Sequence, residues 1–295
     1  MVPVKRISTR PQRTLRRPAE VRGQGLLSGA PARLRFVPAP PSSGVVFARA
    51  DLPGRPRIPA HVSQVTGMHR RTTLGRAPAQ VTLVEHALAA LAGLRIDNCT
   101  VEIDGPEPPG LDGSARGFVE ALLAAGAEPQ PAERGVWAVE APVTVRAAGA
   151  SLTIHPPDGP GLYFTYFLDY GPSAPIGRQT HTQVITPGAF RRGLSGCRTF
   201  LLLEEAEALR REGLGARTTP ADLLVFGPRG PIANRTRFAN EPARHKMLDM
   251  VGDLSLISAD LCGHVIAYRS GHPLNVELAG RLHAALVEAQ GRVAA

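Results

Sequence analysis

The segment Thr82-Leu83-Val84-Glu85-His86-Ala87-Leu88-Ala89-Ala90-Leu91 begins a strongly apolar helix that runs to Leu94. A strand from Asn98 to Ile103, a loop rich in Pro and Gly, and a second helix from Ser114 to Ala125 follow it. Three short segments with strand character precede it, at residues 32–37, 44–49 and 71–74. The first half of the chain is therefore predicted to form a sheet with two helices.

The second half repeats this order of elements. Its helices are predicted at 241–258 and 272–289, and its strands at 137–145, 151–155, 162–170, 182–185 and 263–269. Between them lies an additional stretch with its own short helix at 204–211 and strand at 223–226. The pattern predicts an α+β fold of two similar domains, each a sheet with two helices packed on one face.

The domain boundaries follow from composition. We expect a basic tail at 1–12, a first domain at 13–126, a Pro- and Glu-rich linker at 127–135, and a second domain at 136–295 with an insertion at about 200–226. Two similar units in one chain commonly form their ligand site where they meet. We therefore expect the active site in the cleft between the two domains.

Composition excludes several classes of protein. The 295 residues are 43% apolar and 5% aromatic, and the three cysteines include no Cys-x-x-Cys pair, which argues against a disulfide scaffold or a thiolate zinc site. The net charge of +9 is concentrated at the start, where seven Lys and Arg residues face only Glu20 in the first 22 positions. No apolar run could span a bilayer, and the Arg- and Pro-rich start does not resemble a signal peptide. We expect a cytoplasmic monomer without a nucleic-acid partner.

Residues 245, 249 and 253 are spaced by four, which places His245, Asp249 and Asp253 along one helical face. An imidazole and a carboxylate one turn apart can share a zinc ion, although a catalytic site needs a third protein ligand. Spacing alone favours the alternative, a His/Asp pair on a solvated face.

His86 is the leading candidate for the third ligand, because it lies beside Glu85 at the start of an apolar helix. The alternative is a buried core histidine, with Thr82 and Glu85 forming a capping box. His272 lies in Ser270-Gly271-His272-Pro273, at a strand-to-helix turn, where it can act as an acid or base or serve only as a turn residue. The glycines from Gly23 to Gly29 favour a hairpin turn over a phosphate loop.

Taken together, these segments resemble the UDP-3-O-acyl-N-acetylglucosamine deacetylases, the zinc amidohydrolases of lipid A synthesis. The resemblance runs from about Arg13 to the last helix. The matching motifs are Val84–Leu91, Gly93–Asn98, Leu111–Ala115, Pro175–Gly177, Arg198–Phe200, Arg244–Asp249, Val251–Leu254 and Ser270–Asn275.

The resemblance implies a metal site and a catalytic pair. His86, His245 and Asp249 match the ligands of Zn²⁺, for which iron could substitute in the cell. Glu85 matches the general base that deprotonates the attacking water, and His272 matches the acid that protonates the departing amine.

Three more residues carry over by the same resemblance. Thr199 matches a hydroxyl that stabilises the oxyanion, Lys246 a cation near the tetrahedral intermediate, and Asp253 the carboxylate that orients His272. The family's fold, two similar α+β domains facing each other across the site, agrees with the repeated order of elements.

The resemblance also implies substrate contacts. Phe200 and Leu201 are expected to line an apolar passage for the acyl chain, together with Leu203 and Leu209. Arg269 stands where the family usually has a Lys near the nucleotide diphosphate, and Tyr170 where it has a Phe near the uracil.

Two departures bear on substrate preference. Leu27 replaces a family histidine in the turn Gly25–Gly29, and Ala216–Thr219 replaces a Leu-Gly-Gly-Ser segment.

The sequence thus supports a zinc-dependent hydrolase that removes acetate from UDP-3-O-(3-hydroxyacyl)-N-acetylglucosamine. One alternative is a non-catalytic binder of the same nucleotide-lipid. A nucleic-acid-binding protein is a third hypothesis, which rests on the basic tail alone.

Overall fold

The computed structural model describes residues 2–293. Within them the chain forms 18 strands. The strands are β1 (Val4–Leu15), β2 (Ala19–Gln24), β3 (Pro31–Pro38), β4 (Val45–Arg49), β5 (Arg57–Pro59), β6 (Val65–Gly67), β7 (Thr73–Leu74), β8 (Val81–Thr82), β9 (Cys99–Asp104), β10 (Ala127–Val139), β11 (Val143–Ala147), β12 (Ala150–His155), β13 (Leu162–Leu168), β14 (Gln179–Val184), β15 (Phe200–Leu202), β16 (Leu224–Gly227), β17 (Gly230–Pro231) and β18 (Asp260–Tyr268).

Six α-helices occur in the same part of the chain, with a short 3-10 turn at Val62–Gln64. The helices are α1 (Glu85–Gly93), α2 (Arg116–Ala125), α3 (Pro187–Gly193), α4 (Leu203–Arg211), α5 (Glu241–Ser255) and α6 (His272–Val293). Helix α1 packs against α2 and α5, and α5 packs against α6. The buried faces of these helices and of the two large sheets join in one apolar core.

Two large sheets organise the molecule. One has five strands in the order β2-β3-β9-β4-β5, and α2 packs against β2. The other has seven strands, with β1-β10-β18-β12-β11 on one path and β13 joining β18 to β14; α5 and α6 pack against its β13 and β11. Smaller three-stranded sheets are formed by β6-β7-β8 and by β15-β16-β17. The predicted α+β class is confirmed.

The N-terminal residues form a strand where a basic tail was expected. Strand β1 pairs antiparallel with β10, from Val4 opposite Val139 to Leu15 opposite Ala127. The expected linker at 127–135 belongs to β10, so it is regular structure as well. Backbone hydrogen bonds pair these two largely polar segments, and Leu15 of β1 and Trp137 and Val139 of β10 pack in the apolar core.

A partly buried cluster of charges fixes β1 to the rest of the fold. The Arg10 guanidinium donates to Asp97 at 2.8 Å and to Asp260 at 2.6 Å, and Arg134 donates to Asp260 at 2.6 Å. The basic segment behind the nucleic-acid hypothesis is therefore partly neutralised inside the fold.

Most other predicted elements are found, with shifted bounds. The turn Gly23–Gly29 connects β2 to β3 as an antiparallel hairpin, as predicted. The strand predicted at 137–145 is two strands, because the chain turns between β10 and β11. Helix α3 was not predicted; Thr186 caps it by accepting from the Ala189 N–H at 3.2 Å. No helix within residues 2–293 combines the length and apolarity needed to cross a bilayer.

Candidate active site

Helices α1 and α5 bring together the three expected metal ligands. His86 is the second residue of α1, and its Nε2 lies 3.5 Å from Asp249 Oδ1. His245 Nε2 lies 3.4 Å from the same oxygen, one turn away on α5. One potential ligand atom from each residue falls within 4.8 Å of the others. The structure thus joins residues from distant parts of the chain into one group.

His86, His245 and Asp249, called the metal group below, have the chemistry of a metal site. Asp249 Oδ1 is buried and has no hydrogen-bond partner, although it lies between two imidazoles. A buried carboxylate oxygen left in this way is costly unless something else satisfies it, and a divalent cation would do so. His245 Nδ1 donates to the Cys197 carbonyl at 3.1 Å, which leaves Nε2 facing the group.

The protonation states also suit a cation. Burial lowers the pKa of His245 to about 4, so its imidazole is neutral at physiological pH and can coordinate. Burial opposes the charge on Asp249, but His245 and Lys246 hold the pKa of that carboxyl well below its usual range. Two neutral nitrogens and one carboxylate are a ligand set that Zn²⁺ accepts, with a fourth position left for water or substrate.

A glycine lets the two helices approach closely. A Cβ on Gly252 would stand 2.1 Å from the backbone oxygen of Glu85. Since real side chains do not tolerate such contact, glycine at this position allows α5 to cross the first turn of α1. The close crossing places His86 beside Asp249.

Glu85 is buried at the N-terminus of α1, and burial raises the pKa of its carboxyl. Its Oε2 accepts from the Thr72 backbone N–H at 3.0 Å. The capping box considered from the sequence is wrong: the residue before α1, Val84, makes no side-chain cap, and the Thr82 hydroxyl bonds to Arg71 and Thr73 instead. The glutamate is free of a capping role.

His272 is the first residue of α6, and its ring is held through Nδ1. Its Nδ1 donates to Asp253 Oδ2 at 2.8 Å, and Asn275 donates to the same oxygen at 2.8 Å. Thr72 Oγ1 donates to Asp253 Oδ1 at 2.6 Å. Burial alone would lower the pKa of His272, but the charge and hydrogen bond of Asp253 raise it to about 9. The imidazole is therefore protonated at neutral pH, with its Nε2 3.9 Å from Asp249 Oδ2.

Lys246 also faces the carboxylate. Its Nζ donates to Asp249 Oδ2 at 2.6 Å. Burial opposes the charge, yet Asp249 raises the pKa of Lys246 above its ordinary value. The ammonium remains charged next to the metal group.

Most of the predicted substrate residues line the cavity that contains the metal group, and Arg269 does not. Phe200, Leu201 and Tyr170 line the cavity that contains the metal group, and the Phe200 ring packs edge-on against Tyr170 and His245. Thr199 lines it as well, but its hydroxyl donates to the Gly113 carbonyl at 3.0 Å. Arg269 does not line this cavity; it is exposed, and its Nε donates to the Asp169 carbonyl.

Two cavities meet at the site. One of them, the metal cavity, has a volume of about 350 Å³ and is lined by the metal group. The other, of about 250 Å³, is mainly apolar and is enclosed by residues of α4, β16 and the β2–β3 hairpin. Its apolar lining includes Leu26, Leu27, Leu201, Leu203, Leu209, Leu214, Leu223, Val225 and Ile232. Leu27, which replaces the family histidine, thus lies in the apolar cavity.

Sequence reasoning missed several groups that hold the site. Thr72 supports both Glu85 and Asp253, and the Cys197 carbonyl orients His245. Nothing in the local sequence indicates either, because both act across long sequence separations. Asn275 lies inside the matching motif Ser270–Asn275, but the motif does not indicate its hydrogen bond to Asp253.

Two imidazoles and a carboxylate around a common point, with a buried glutamate and a charged imidazole on the same cavity, define the site of a metal-dependent hydrolase. Residues 12–284 match the family LpxC, UDP-3-O-acyl N-acetylglycosamine deacetylase. The chain belongs to this family, which confirms the resemblance and makes the protein an enzyme.

Individual relatives agree. The UDP-3-O-acyl-N-acetylglucosamine deacetylase of Thermosynechococcus vestitus is 40% identical over 268 residues, covering 91% of this chain and 92% of that protein. The enzyme of the same name from Trichormus variabilis is 38% identical over 276 residues, and the match covers 92% of this chain and 98% of that protein. The "Bifunctional enzyme LpxC/FabZ" of Chlorobaculum tepidum is 37% identical over 298 residues; the match covers 92% of this chain but only 64% of that longer protein.

Proposed function

We propose that this protein hydrolyses the acetamide of UDP-3-O-(3-hydroxyacyl)-N-acetylglucosamine, releasing acetate and a free amine in lipid A biosynthesis. The observation that carries the proposal is the buried, unpartnered Asp249 Oδ1 between His86 and His245, with Glu85 and His272 lining the same cavity. His86, His245 and Asp249 would hold Zn²⁺. When bound there, the ion would polarise the acetamide carbonyl as a Lewis acid.

Glu85 supplies the base. The Thr72 N–H holds one carboxylate oxygen, and the raised pKa makes the carboxylate a stronger proton acceptor than an exposed glutamate. It accepts a proton from the attacking water.

His272 supplies the acid. An amine is a poor leaving group unless it is protonated, and the imidazolium maintained by Asp253 can deliver that proton. Asp253 fixes the ring through Nδ1, so Nε2 is the nitrogen that carries the mobile proton.

Positive charge stabilises the tetrahedral intermediate. Lys246 lies beside Asp249 in a partly buried position, where a fixed charge acts more strongly than in water. The Thr199 hydroxyl must leave the Gly113 carbonyl to donate to the oxyanion.

The substrate's other parts extend away from the metal group. The apolar cavity between α4 and the β2–β3 hairpin suits the acyl chain. Tyr170 at the rim suits the uracil, and the exposed Arg269 a diphosphate beyond the rim. The site lies where helices from the two halves of the chain meet, which supports the predicted cleft between two domains.

The same proposal includes a monomer acting in the cytoplasm. Cys99, Cys197 and Cys262 are all free and buried, which suits a reducing compartment. Sedimentation of the purified chain tests the monomer.

Acetate release and metal analysis test the function together. The wild type is expected to bind one zinc per chain and to release acetate, and His245→Ala to lose both. His283→Ala is the matched control, because that histidine also lies on a helix but contacts His61 outside the metal cavity. Unchanged turnover in His245→Ala would contradict the proposal. Substrate binding by the wild type without acetate release in added zinc would instead support the non-catalytic binder.

A further inference from the structure

The metal cavity and the apolar cavity share a short boundary. Four residues line both: Arg70, Leu83, Thr199 and Leu201. Two of them are apolar, and the Thr199 hydroxyl donates its one hydrogen to the Gly113 carbonyl. Arg70 is the charged member of the four, and it offers several N–H donors at the boundary.

Arg70 is held in place there. It lies in the turn between β6 and β7 with a φ of 58°, a left-handed conformation that L residues seldom adopt. Its Nη2 lies 3.1 Å from Glu205 Oε1. The other oxygen of Glu205 accepts from the Leu202 N–H at 2.9 Å, at the start of α4. The ion pair therefore links the turn to the helix that lines the apolar cavity.

A substrate that fills both cavities crosses the boundary that Arg70 lines. With the acetamide at the metal group and the acyl chain in the apolar cavity, the ester that joins chain to sugar must lie at the boundary. An ester carbonyl removed from water needs a donor, since an unsatisfied buried acceptor is costly. A guanidinium has five N–H donors, so the contact with Glu205 leaves others for that carbonyl.

On the basis of the proposed function, we propose that Arg70 is a substrate-binding residue that donates a hydrogen bond to the carbonyl of the ester linking the acyl chain to the sugar. Glu205 positions it. Arg70 thereby selects a 3-O-acylated sugar over one without the acyl group.

Three substrates and two variants test this. The substrates are the ester-linked compound, an analogue in which an ether CH₂ replaces the ester carbonyl, and UDP-N-acetylglucosamine. Arg70→Ala is compared with Arg55→Ala, which also removes an exposed arginine with a left-handed backbone, at a φ of 46°, but one that lines neither cavity.

Arg70→Ala is expected to lower kcat/KM for the ester substrate about 10- to 100-fold, as loss of a hydrogen bond to a charged group predicts, mainly through KM. The wild type should lose a similar factor on the ether analogue, and Arg70→Ala should lose no more there. Turnover of UDP-N-acetylglucosamine should not change in Arg70→Ala, and Arg55→Ala should match the wild type throughout.

Equal losses on ester and ether substrates in Arg70→Ala, or no loss on the ester, would overturn the assignment. Calorimetric binding of the ester and ether compounds by the same proteins is measured alongside turnover. A wild type that binds the ester compound but releases no acetate would refute the proposed hydrolysis, while the calorimetric comparison would still decide the role of Arg70.

Discussion

Asp253 positions His272, the proposed acid, and its two oxygens accept hydrogen bonds from His272, Asn275 and Thr72. In Asp253→Asn one oxygen becomes an amide group that cannot accept these bonds and no longer favours the imidazolium. We expect kcat to fall about 10- to 100-fold or more, with metal content unchanged, because removal of a group that orients a functional residue has effects of that order. Acetate release and metal analysis measure both.

Glu277→Gln is the control for this substitution, since it changes an exposed acid on α6, the helix that begins with His272. Loss of the metal from Asp253→Asn would show that Asp253 supports the ligands instead of the acid. Equal kinetics in the two variants would remove Asp253 from the mechanism.

Individual residues of the site were predictable to different degrees. The spacing of His245, Asp249 and Asp253 placed them on one face of a helix, and the structure shows this face turned to the site. Spacing could not choose between a solvated pair and a metal group, because that depends on His86, which lies 159 positions before His245 in the sequence. The partner of Glu85 was missed because it is a backbone N–H, which no side-chain pattern reveals.

The α1–α5 crossing rests on Gly252. Gly252→Ala would place a Cβ 2.1 Å from the Glu85 backbone oxygen, so the helices must separate. We expect the free energy of unfolding to fall by about 1–3 kcal/mol or more, the range for overpacking a tight contact. Urea denaturation of the metal-free protein measures the change.

Gly280→Ala provides a matched control on α6, where the nearest atom to a new Cβ is 3.9 Å away. The same substitution should there be neutral or stabilise by up to about 1 kcal/mol, since Ala favours helix more than Gly. Similar effects at both positions would mean that the crossing does not depend on glycine.

Elements with a strong apolar pattern were predicted well, and those without it were missed. Helix α5 and strand β9 lie within three residues of their expected bounds, and the burial of β9 alternates along the strand as its sequence does. Strands β1 and β10 carry Arg, Pro and Glu, and their composition favoured a tail and a linker. Their pairing joins residues more than 100 positions apart, so local sequence could not show it.

The charge cluster of Arg10, Arg134, Asp97 and Asp260 ties β1 to β10, to β18 and to the segment before β9, and it predicts a pH dependence of stability. Burial alone would raise the pKa of Asp260, but Arg10 and Arg134 hold it below its usual value. Because the folded pKa is the lower one, the carboxylate stabilises the fold at neutral pH. That contribution is lost as the pH falls below about 4, through the folded pKa.

Asp260→Asn is accordingly expected to lower the free energy of unfolding by about 1–3 kcal/mol at pH 7, the cost of leaving charged donors unpaired. The difference from wild type should shrink as the pH falls below about 4. Urea titrations of metal-free protein from pH 7 to pH 3 measure it. Asp158→Asn, at an exposed position, serves as control. A difference that does not vary with pH would exclude the ionised carboxylate as its cause.

The sequence positions of the three proposed metal ligands constrain when the site can take up an ion. Residue 86 supplies one member of the set and residues 245 and 249 supply the other two, so a growing polypeptide on the ribosome holds only one of the three until residue 245 has been added. A lone imidazole retains divalent ions poorly compared with a complete set. The complete set therefore exists only after residue 249 has been synthesised, and an ion held by all three side chains would report that α1 and α5 have docked.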